Sequence, residues 1–477
     1  RFRESHRLFF LKVIFPLCIH IATSKVNITS RMASLSQKFR ENYRSVFESA
    51  IDAVNPEILI KKNLILTGNI LKIRDEEFNL SDFENIHVIG IGKGAHSLCN
   101  GLINVIGNRI KRGITISGED CCPDAGEFIS LKGDHPIPGK NSILSAIELK
   151  NFIRNIEKND LVITLVTGGS SAMLVSPPAE IDIDDISSIN NMLIRSGASI
   201  HEINCVRKHL STIKGGQLAK MIYPASIISL LISDVTGSDP EVIGSGPFSG
   251  DTTTFKKALD ILQKYLLEHK VGKNILDHLK KGAAGAIKDT PGPDDPIFKN
   301  NRSFIIGENI TALNAAKERA EELGFISEIL SSDEQGDVND ASKRYGELIR
   351  RKFSEGKNFN GGILLLSGGE FTVNVTGKGA GGRVQEFLLL LIHELKDISS
   401  PFFIAGVGTD GKDGKTDAAG AWINENTYKL SGNEPEVIIS RHLENNDSYN
   451  YFKKLNQLIY TGPTGTNVMD IFLFFLG

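Results

Sequence analysis

Asn85 to Ser117 reads NIHVIGIGKGAHSLCNGLINVIGNRIKRGITIS, and its reading decides the fold. Asn85-Ile86-His87-Val88-Ile89 has the near-continuous apolar character of a strand buried on both faces. It runs into a glycine turn, Gly90-Ile91-Gly92-Lys93-Gly94-Ala95, and then into an apolar helix from about His96 to Ile106. Gly113 to Ser117 reads as a second strand. Strand, turn, helix and strand make a βαβ unit, the building block of a parallel sheet. Gly90, Gly92 and Ala95 satisfy a loose dinucleotide-binding fingerprint, and Glu119 falls near the spacing of its ribose-binding acid. Lys93 sets the loop apart. A cation held in such a turn points to an anionic ligand, against the alternative of a lysine snorkelling out of a structural turn.

Outward from this unit, apolar runs end repeatedly in polar, glycine-rich turns. Leu161 to Val166 is an uninterrupted strand ending in Thr167-Gly168-Gly169-Ser170-Ser171, whose hydroxyls suit a carboxylate or phosphate, or equally a helix cap. No His and Asp partners stand in a recognisable hydrolase context, so neither serine reads as a nucleophile. Ile227 to Ile232 ends in Ser233-Asp234-Val235-Thr236-Gly237-Ser238-Asp239. Acids at the C-terminal ends of parallel strands lie where open α/β sheets bind ligands, so Asp234 is a candidate general base or magnesium ligand. Asp239 divides evenly between such a role and turn chemistry. His135, in Asp134-His135-Pro136-Ile137-Pro138-Gly139, reads as ordering its loop. The basic run Arg207, Lys208, Lys214 and Lys220 reads as a solvated helix face.

Pro291, Pro293 and Pro296 mark residues 291–300 as a linker, giving domains at 38–290 and 301–477 after a leading segment 1–37. In the second half, Ser303 to Gly307, Ile329 to Ser331 and Phe402 to Ala405 are expected strands. Leu364 to Leu391 contains Ser367-Gly368-Gly369-Glu370, an alternating segment (Phe371, Val373, Val375) and a glycine-dense turn, Gly377 to Gly382. Arg383 follows at the start of a leucine-rich helix. That turn could bring backbone N–H groups to an anion, with Arg383 forking onto phosphate oxygens. Gly406 to Lys412 nearly matches a P-loop, but Asp413 stands where Ser or Thr belongs and no apolar helix follows. The aspartates there do not alternate as in an EF-hand either.

The chain has 477 residues, a formal net charge of −3 and 23% charged residues, with cations and acids interspersed. Neither a nucleic acid nor a membrane surface is an expected partner. Five cysteines make no disulfide framework, Cys121-Cys122 being adjacent, and a reducing compartment is expected. Residues 1–31 carry Arg1, Arg3, Arg7 and Lys12 around an apolar stretch and precede the first methionine, Met32. They read as sequence upstream of a true start or as a targeting segment, which leaves cytoplasm and mitochondrion as the expected compartments.

Nine motifs in order carry a resemblance: GIGKGA (90–95), DHPIPG (134–139), VTGGSSA (166–172), NCVRKHLSTIKGGQLA (204–219), SDVTGSDP (233–240), SGGE (367–370), GGRVQEF (381–387), GTDGKDG (408–414) and TGPTGTNVMD (461–470). The set resembles the class II glycerate kinases over roughly residues 38–473. The resemblance implies a Rossmann-like N-terminal domain, a leucine-rich α/β (MOFRL) C-terminal domain and an active site in the cleft between them. It implies ATP-dependent, Mg²⁺-dependent phosphorylation of D-glycerate to 2-phosphoglycerate, in serine and fructose catabolism. By motif match Lys93 and Arg383 are the catalytic cations, with Asp234 as base or metal ligand. Gly92, Gly94, Gly169, Ser170, Ser171, Asp239, Glu370, Asp410 and Asn467 are expected around the substrates. A homo-oligomer stays open. Two other readings compete: an NAD(P)H-dependent hydroxypyruvate reductase, and a phosphosugar-binding protein without turnover.

Overall fold

The computed structural model describes residues 35–118, 127–355 and 361–477. Residues 1–31, Glu119 and Cys121-Cys122 lie outside the described residues. The chain forms two compact units. The first comprises Ile51–Ala312 and Pro463–Met469; the second comprises the chain up to Ala50, Leu313–Gly462 and Asp470–Gly477.

A six-stranded parallel sheet organises the first unit. Its strands are β1 (Ile86–Ile91), β2 (Ile110–Ser117), β3 (Glu127–Lys132), β4 (Leu161–Val166), β5 (Ser226–Ile232) and β6 (Asn301–Gly307). Their order is β3-β2-β1-β4-β5-β6, that of the doubly wound dinucleotide folds, with the topological switch point between β1 and β4. Helix α1 (Ala95–Ile106) follows β1. Ile89, Ile114, Val162 and Ile227 from four neighbouring strands share a core with Phe152. A separate core of Ile186, Leu193, Val206, Phe255 and Leu279 joins α2 (Ile183–Arg195), α3 (Ile200–His209), α4 (Phe255–Lys264) and α5 (Lys273–Ala283). Each such side chain contributes about 1.5–3 kcal/mol by leaving water. A three-stranded antiparallel meander over Leu64–Thr67, Ile70–Ile73 and Glu76–Asn79 has no counterpart in the sequence reading.

The expected boundary at 291–300 is not where the chain divides. β6, directly after it, satisfies its backbone on β5, from Ile227 opposite Asn301 to Ile232 opposite Gly307. The prolines therefore belong to a connection within the first unit. At the other end, Phe39 stacks on Phe475 with ring centroids 5.7 Å apart, which ties the helix over residues 35–53 to the second unit through its first turns.

The second unit has a mixed six-stranded sheet of β7 (Ile326–Glu334), β8 (Ile363–Gly369), β9 (Phe402–Gly408), β10 (Gly420–Asn424), β11 (Leu458–Ile459) and β12 (Asp470–Leu476). The order is β7-β8-β12-β9-β10-β11, with β12 antiparallel to both β8 and β9. All seven residues of β12 are buried, as a central strand requires. α6 (Val338–Ser354) and α7 (Arg383–Glu394) pack Tyr345 and Phe387 against Phe472 and Phe474. The alternating segment Phe371-Val375 is not a strand. Phe371 enters the core, and Thr372 makes one bridge, to Asp337. Among the described residues, no helix is long and apolar enough to cross a membrane.

Candidate functional site

Two loops meet at the switch point of the first unit. The Lys93 N–H after β1 donates to the Gly168 carbonyl after β4 at 2.9 Å, and the Gly94 N–H donates to Thr167 Oγ1 at 3.0 Å. Gly92 has φ +122°, and a Cβ there would overlap Thr167, so the close approach of the loops requires glycine. α1 starts at once, with Gly94 as its N-cap and no side chain to cap it. The positive end of the helix dipole thus lies at the loop that carries Lys93.

Four side chains converge on Gly168-Gly169. A Cβ on Gly168 would overlap the Asp234 carboxylate and come within 3.0 Å of Asn467 Nδ2. On Gly169, at φ +86°, it would stand 3.1 Å from His135 Cδ2 and 3.3 Å from Lys93 Cγ. Asn467 Nδ2 donates to Asp234 Oδ2 at 3.5 Å. Asn467 belongs to this unit because Thr466 Oγ1 donates to the Val54 carbonyl at 2.7 Å and Asn309 Nδ2 to the Val468 carbonyl at 2.8 Å.

Ser170 and Ser171 open the short helix Ser170–Met173. Ser170 Oγ is buried without a hydrogen-bond partner among the described residues, a state that costs about 1–3 kcal/mol unless something else supplies one. Ser171 Oγ lies 3.0 Å from Ser245 Oγ, which donates to Asn204 Oδ1 at 3.0 Å. The Ser171 carbonyl accepts from Lys214 Nζ at 2.9 Å. Beside this helix is a cavity of about 250 Å³, walled in part by His135, Gly169, Ser171, Arg207, Ser211 and Lys214.

That cavity corrects the reading of the basic run as a solvated face. Lys208 and Lys214 are buried; only Lys220 is exposed. Burial, helped by the charge of Arg207, pulls the Lys214 ammonium down to about 7, and burial pulls Arg207 down to about 10. Asp239 is drawn into its own turn, Oδ1 accepting the Glu241 N–H at 2.9 Å, and it lines a different cavity, of about 260 Å³.

In the second unit, Arg383 is the first residue of α7. Its Nε donates to Asp470 Oδ2 at 2.6 Å and its Nη2 to Asp470 Oδ1 at 3.1 Å, while Nη1 donates to Glu370 Oε1. Desolvation works against the guanidinium charge, but the Asp470 and Glu370 carboxylates outweigh it and raise its pKa. Asp413, fully buried, accepts from the Val384 and Gln385 N–H groups at 3.2 and 2.8 Å. Desolvation and the neighbouring Asp470 push Asp413 up to about 7. Asp410 accepts the Lys412 N–H at 3.0 Å.

The glycine-dense turn before Arg383 does not offer its amides to an anion as expected. The Thr376 and Gly377 N–H groups donate to Asn446 Oδ1 at 2.9 and 2.8 Å. Lys378 donates to Asn445 Oδ1 at 3.0 Å, Gly379 to the Asn445 carbonyl at 2.8 Å and Ala380 to Asp447 Oδ1 at 3.0 Å. Asp413 takes the first free donors of α7, so the helix end that looked open to phosphate is filled by a carboxylate.

The first unit therefore gathers Gly92, Lys93, Gly94, Gly169, Ser170, Ser171, Asp234 and Asn467, and the second gathers Arg383, Glu370 and Asp410. Residues the sequence reading passed over are Thr167, Arg207 and Lys214 in the first unit and Asp470 in the second. Asp470 closes the TGPTGTNVMD motif, which was its only signal.

Residues 42–280 match a domain of unknown function (DUF4147), and residues 363–470 match the MOFRL family. The chain is 33% identical over 438 residues to the glycerate 2-kinase of Pyrococcus horikoshii, spanning 92% of this chain and 97% of that one. It is 31% identical over 509 residues to the glycerate kinase of Homo sapiens, spanning 94% and 95%. A protein of Agrobacterium vitis provisionally named a hydroxypyruvate reductase is 35% identical over 396 residues, spanning 82% and 99%. The crystal structure of glycerate kinase from Thermotoga maritima aligns with a TM-score of 0.75 at 29% identity, over 93% of this chain and 100% of that one.

Proposed function

The chain belongs to the class II glycerate kinase family, and on that premise we propose that it transfers the γ-phosphoryl group of ATP to D-glycerate, giving 2-phosphoglycerate and ADP. The observation that carries this reading is the convergence of Lys93, Asp234 and Asn467 on Gly168-Gly169 at the switch point of the sheet. Phosphoryl transfer needs charge neutralisation and in-line positioning more than covalent chemistry, and cations on rigid glycine loops supply both. Lys93, beside the α1 N-terminus, neutralises charge on the transferring group. Arg383 is a further candidate cation, held in one orientation by Asp470 and Glu370. Asp234 accepts the proton of the attacking hydroxyl or holds a magnesium ion.

The donor set fits Mg²⁺ in one way. Among the described residues no three His, Cys, Asp or Glu side chains converge on a cation position. Mg²⁺ is commonly held by one or two carboxylates with nucleotide phosphates completing its shell, and Asp234 provides such a carboxylate. When bound, the ion would offset charge on the β- and γ-phosphates.

The reductase reading draws on the name of the Agrobacterium vitis relative and on the dinucleotide-type strand order. It leaves Arg383 without a task. A coupled assay for ADP release with ATP, Mg²⁺ and D-glycerate tests the kinase reading on wild type, Lys93→Ala and Arg383→Ala. Turnover in wild type that falls about 10³-fold in each variant supports a catalytic role for each cation. Turnover unaffected by one substitution removes that residue from the mechanism. NADH oxidation with hydroxypyruvate and no ADP release would favour the reductase, and ligand binding without either activity would favour the phosphosugar-binding protein.

A further inference from the structure

We propose that the cavity beside Gly169 is the pocket for the substrate's carboxylate, with Arg207 and Lys214 as the residues that select an acid. The proposal rests on the kinase reading, which supplies a 2-hydroxy acid as substrate.

The pairing of cations along one stretch of chain carries the argument. Lys208, buried, lies 3.0 Å from Asp251 and 3.6 Å from Glu241, the compensation expected of a structural buried charge. Arg207 and Lys214 have no such partner. Arg207 Nε donates to the Asn190 side-chain oxygen at 2.8 Å, and Lys214 Nζ donates to the Ser171 carbonyl at 2.9 Å. Among the described residues no carboxylate forms an ion pair with either. Two cations facing one cavity without a counter-ion are costly to desolvate, and a bound anion offsets that cost. The depressed ammonium of Lys214 is the same cost expressed as proton affinity.

Position agrees with charge. In a 2-hydroxy acid the reacting oxygen is on the carbon next to the carboxylate, so the acid must bind beside the point of transfer. Gly169 is a wall of the cavity and also meets Lys93 and His135. The rest of the cavity is largely apolar, including Ile186, Ile189 and Leu210, and a charge pair is stronger where water is excluded. At about 250 Å³ it has room for a three-carbon acid.

The test compares wild type, Arg207→Gln and Lys214→Met in steady-state kinetics and in calorimetric titration with D-glycerate. The KM for D-glycerate should rise about 10- to 100-fold in each variant, with the KM for ATP changed less than about twofold. Wild type should prefer D-glycerate to its neutral amide, and the variants should lose that preference, a change that general loosening of the fold would not produce. An unchanged KM for D-glycerate, or a rise confined to ATP, overturns the proposal while leaving the kinase reading intact. If wild type releases no ADP, calorimetry still decides: D-glycerate binding lost in the variants supports the pocket, and no binding to wild type overturns it. Should Lys214→Met fail to fold, Arg207→Gln, at a position less buried than Lys214, gives the same readouts.

Discussion

Asp234 occupies the space that a side chain on Gly168 would need. The carboxylate overlaps the ideal Cβ position, and the Asn467 amide stands 3.0 Å from it. Glycine at 168 is therefore a condition for bringing an acid and an amide onto the β4 loop. Gly168→Ala should displace Asp234, costing about 1–3 kcal/mol of stability and at least about 10²-fold in kcat, since small misplacements of reacting groups are expensive. Thermal melting and ADP release, measured together, check it. A variant that melts early but turns over normally would refute the catalytic placement of Asp234.

Lys208 and Lys214 share a basic run but should answer mutation differently. Lys208→Met leaves Asp251 buried and stripped of its cation, although Thr253 and Thr290 hydroxyls still donate to it at 2.7 Å. Losing one partner of a buried pair costs about 3–5 kcal/mol. Urea denaturation should show that loss, with the KM for D-glycerate unchanged in whatever protein remains folded.

Lys214 should impose a pH dependence. Its ammonium ordinarily titrates near 10.5 and is pulled down to about 7 in the folded chain. Between those values the unfolded chain holds a proton that the folded chain has released, so stability rises with pH through that window and is lost as pH falls toward 7. Anion binding needs the protonated form, so D-glycerate affinity should fall as pH rises above about 7. Lys214→Met should flatten both profiles, measured by melting temperature and calorimetry from pH 6 to 10.

Asp413 should act in the opposite sense. Its carboxyl ordinarily titrates near 3.8 and is pushed up to about 7. The folded chain holds the extra proton between those values, so this stabilisation is full below about 4 and disappears as pH rises through 7. Asp413→Asn, which mimics the protonated acid, should melt close to wild type at pH 5 and at or above it at pH 8. A variant less stable than wild type only at the higher pH would contradict this assignment.

Sequence made the parallel strands legible where burial is two-sided. Leu161–Val166 has the bounds its apolar run gives, because every residue there is buried. The central strand of the second sheet was hidden: Asp470–Leu476 has the same apolar density but lies after a polar glycine turn with no flanking helix to identify it. The loops after β1 and β4 were visible as candidates, yet their adjacency depends on strand order, which the crossovers set. The turn at Gly377–Gly382 misled for a related reason. Its amides are satisfied by Asn445, Asn446 and Asp447, and spacing along the chain does not announce that encounter. Arg207, on α3, and Lys214, in the turn that follows it, looked solvated because burial of a cation depends on what folds over it.

The segment Pro463–Met469 has a temporal consequence. It completes the first unit with Asn467, although everything else in that unit has been made by Ala312. During synthesis, the Lys93 and Asp234 loops must wait for about 150 further residues before their amide neighbour exists, and the second unit waits on β12 just behind it. A nascent chain can therefore bury most of the first core early while remaining without a finished site. Premature termination between Ala312 and Pro463 should yield a fragment with most of the first core buried, no central strand in the second sheet and no activity, a safeguard against ATP use by incomplete copies.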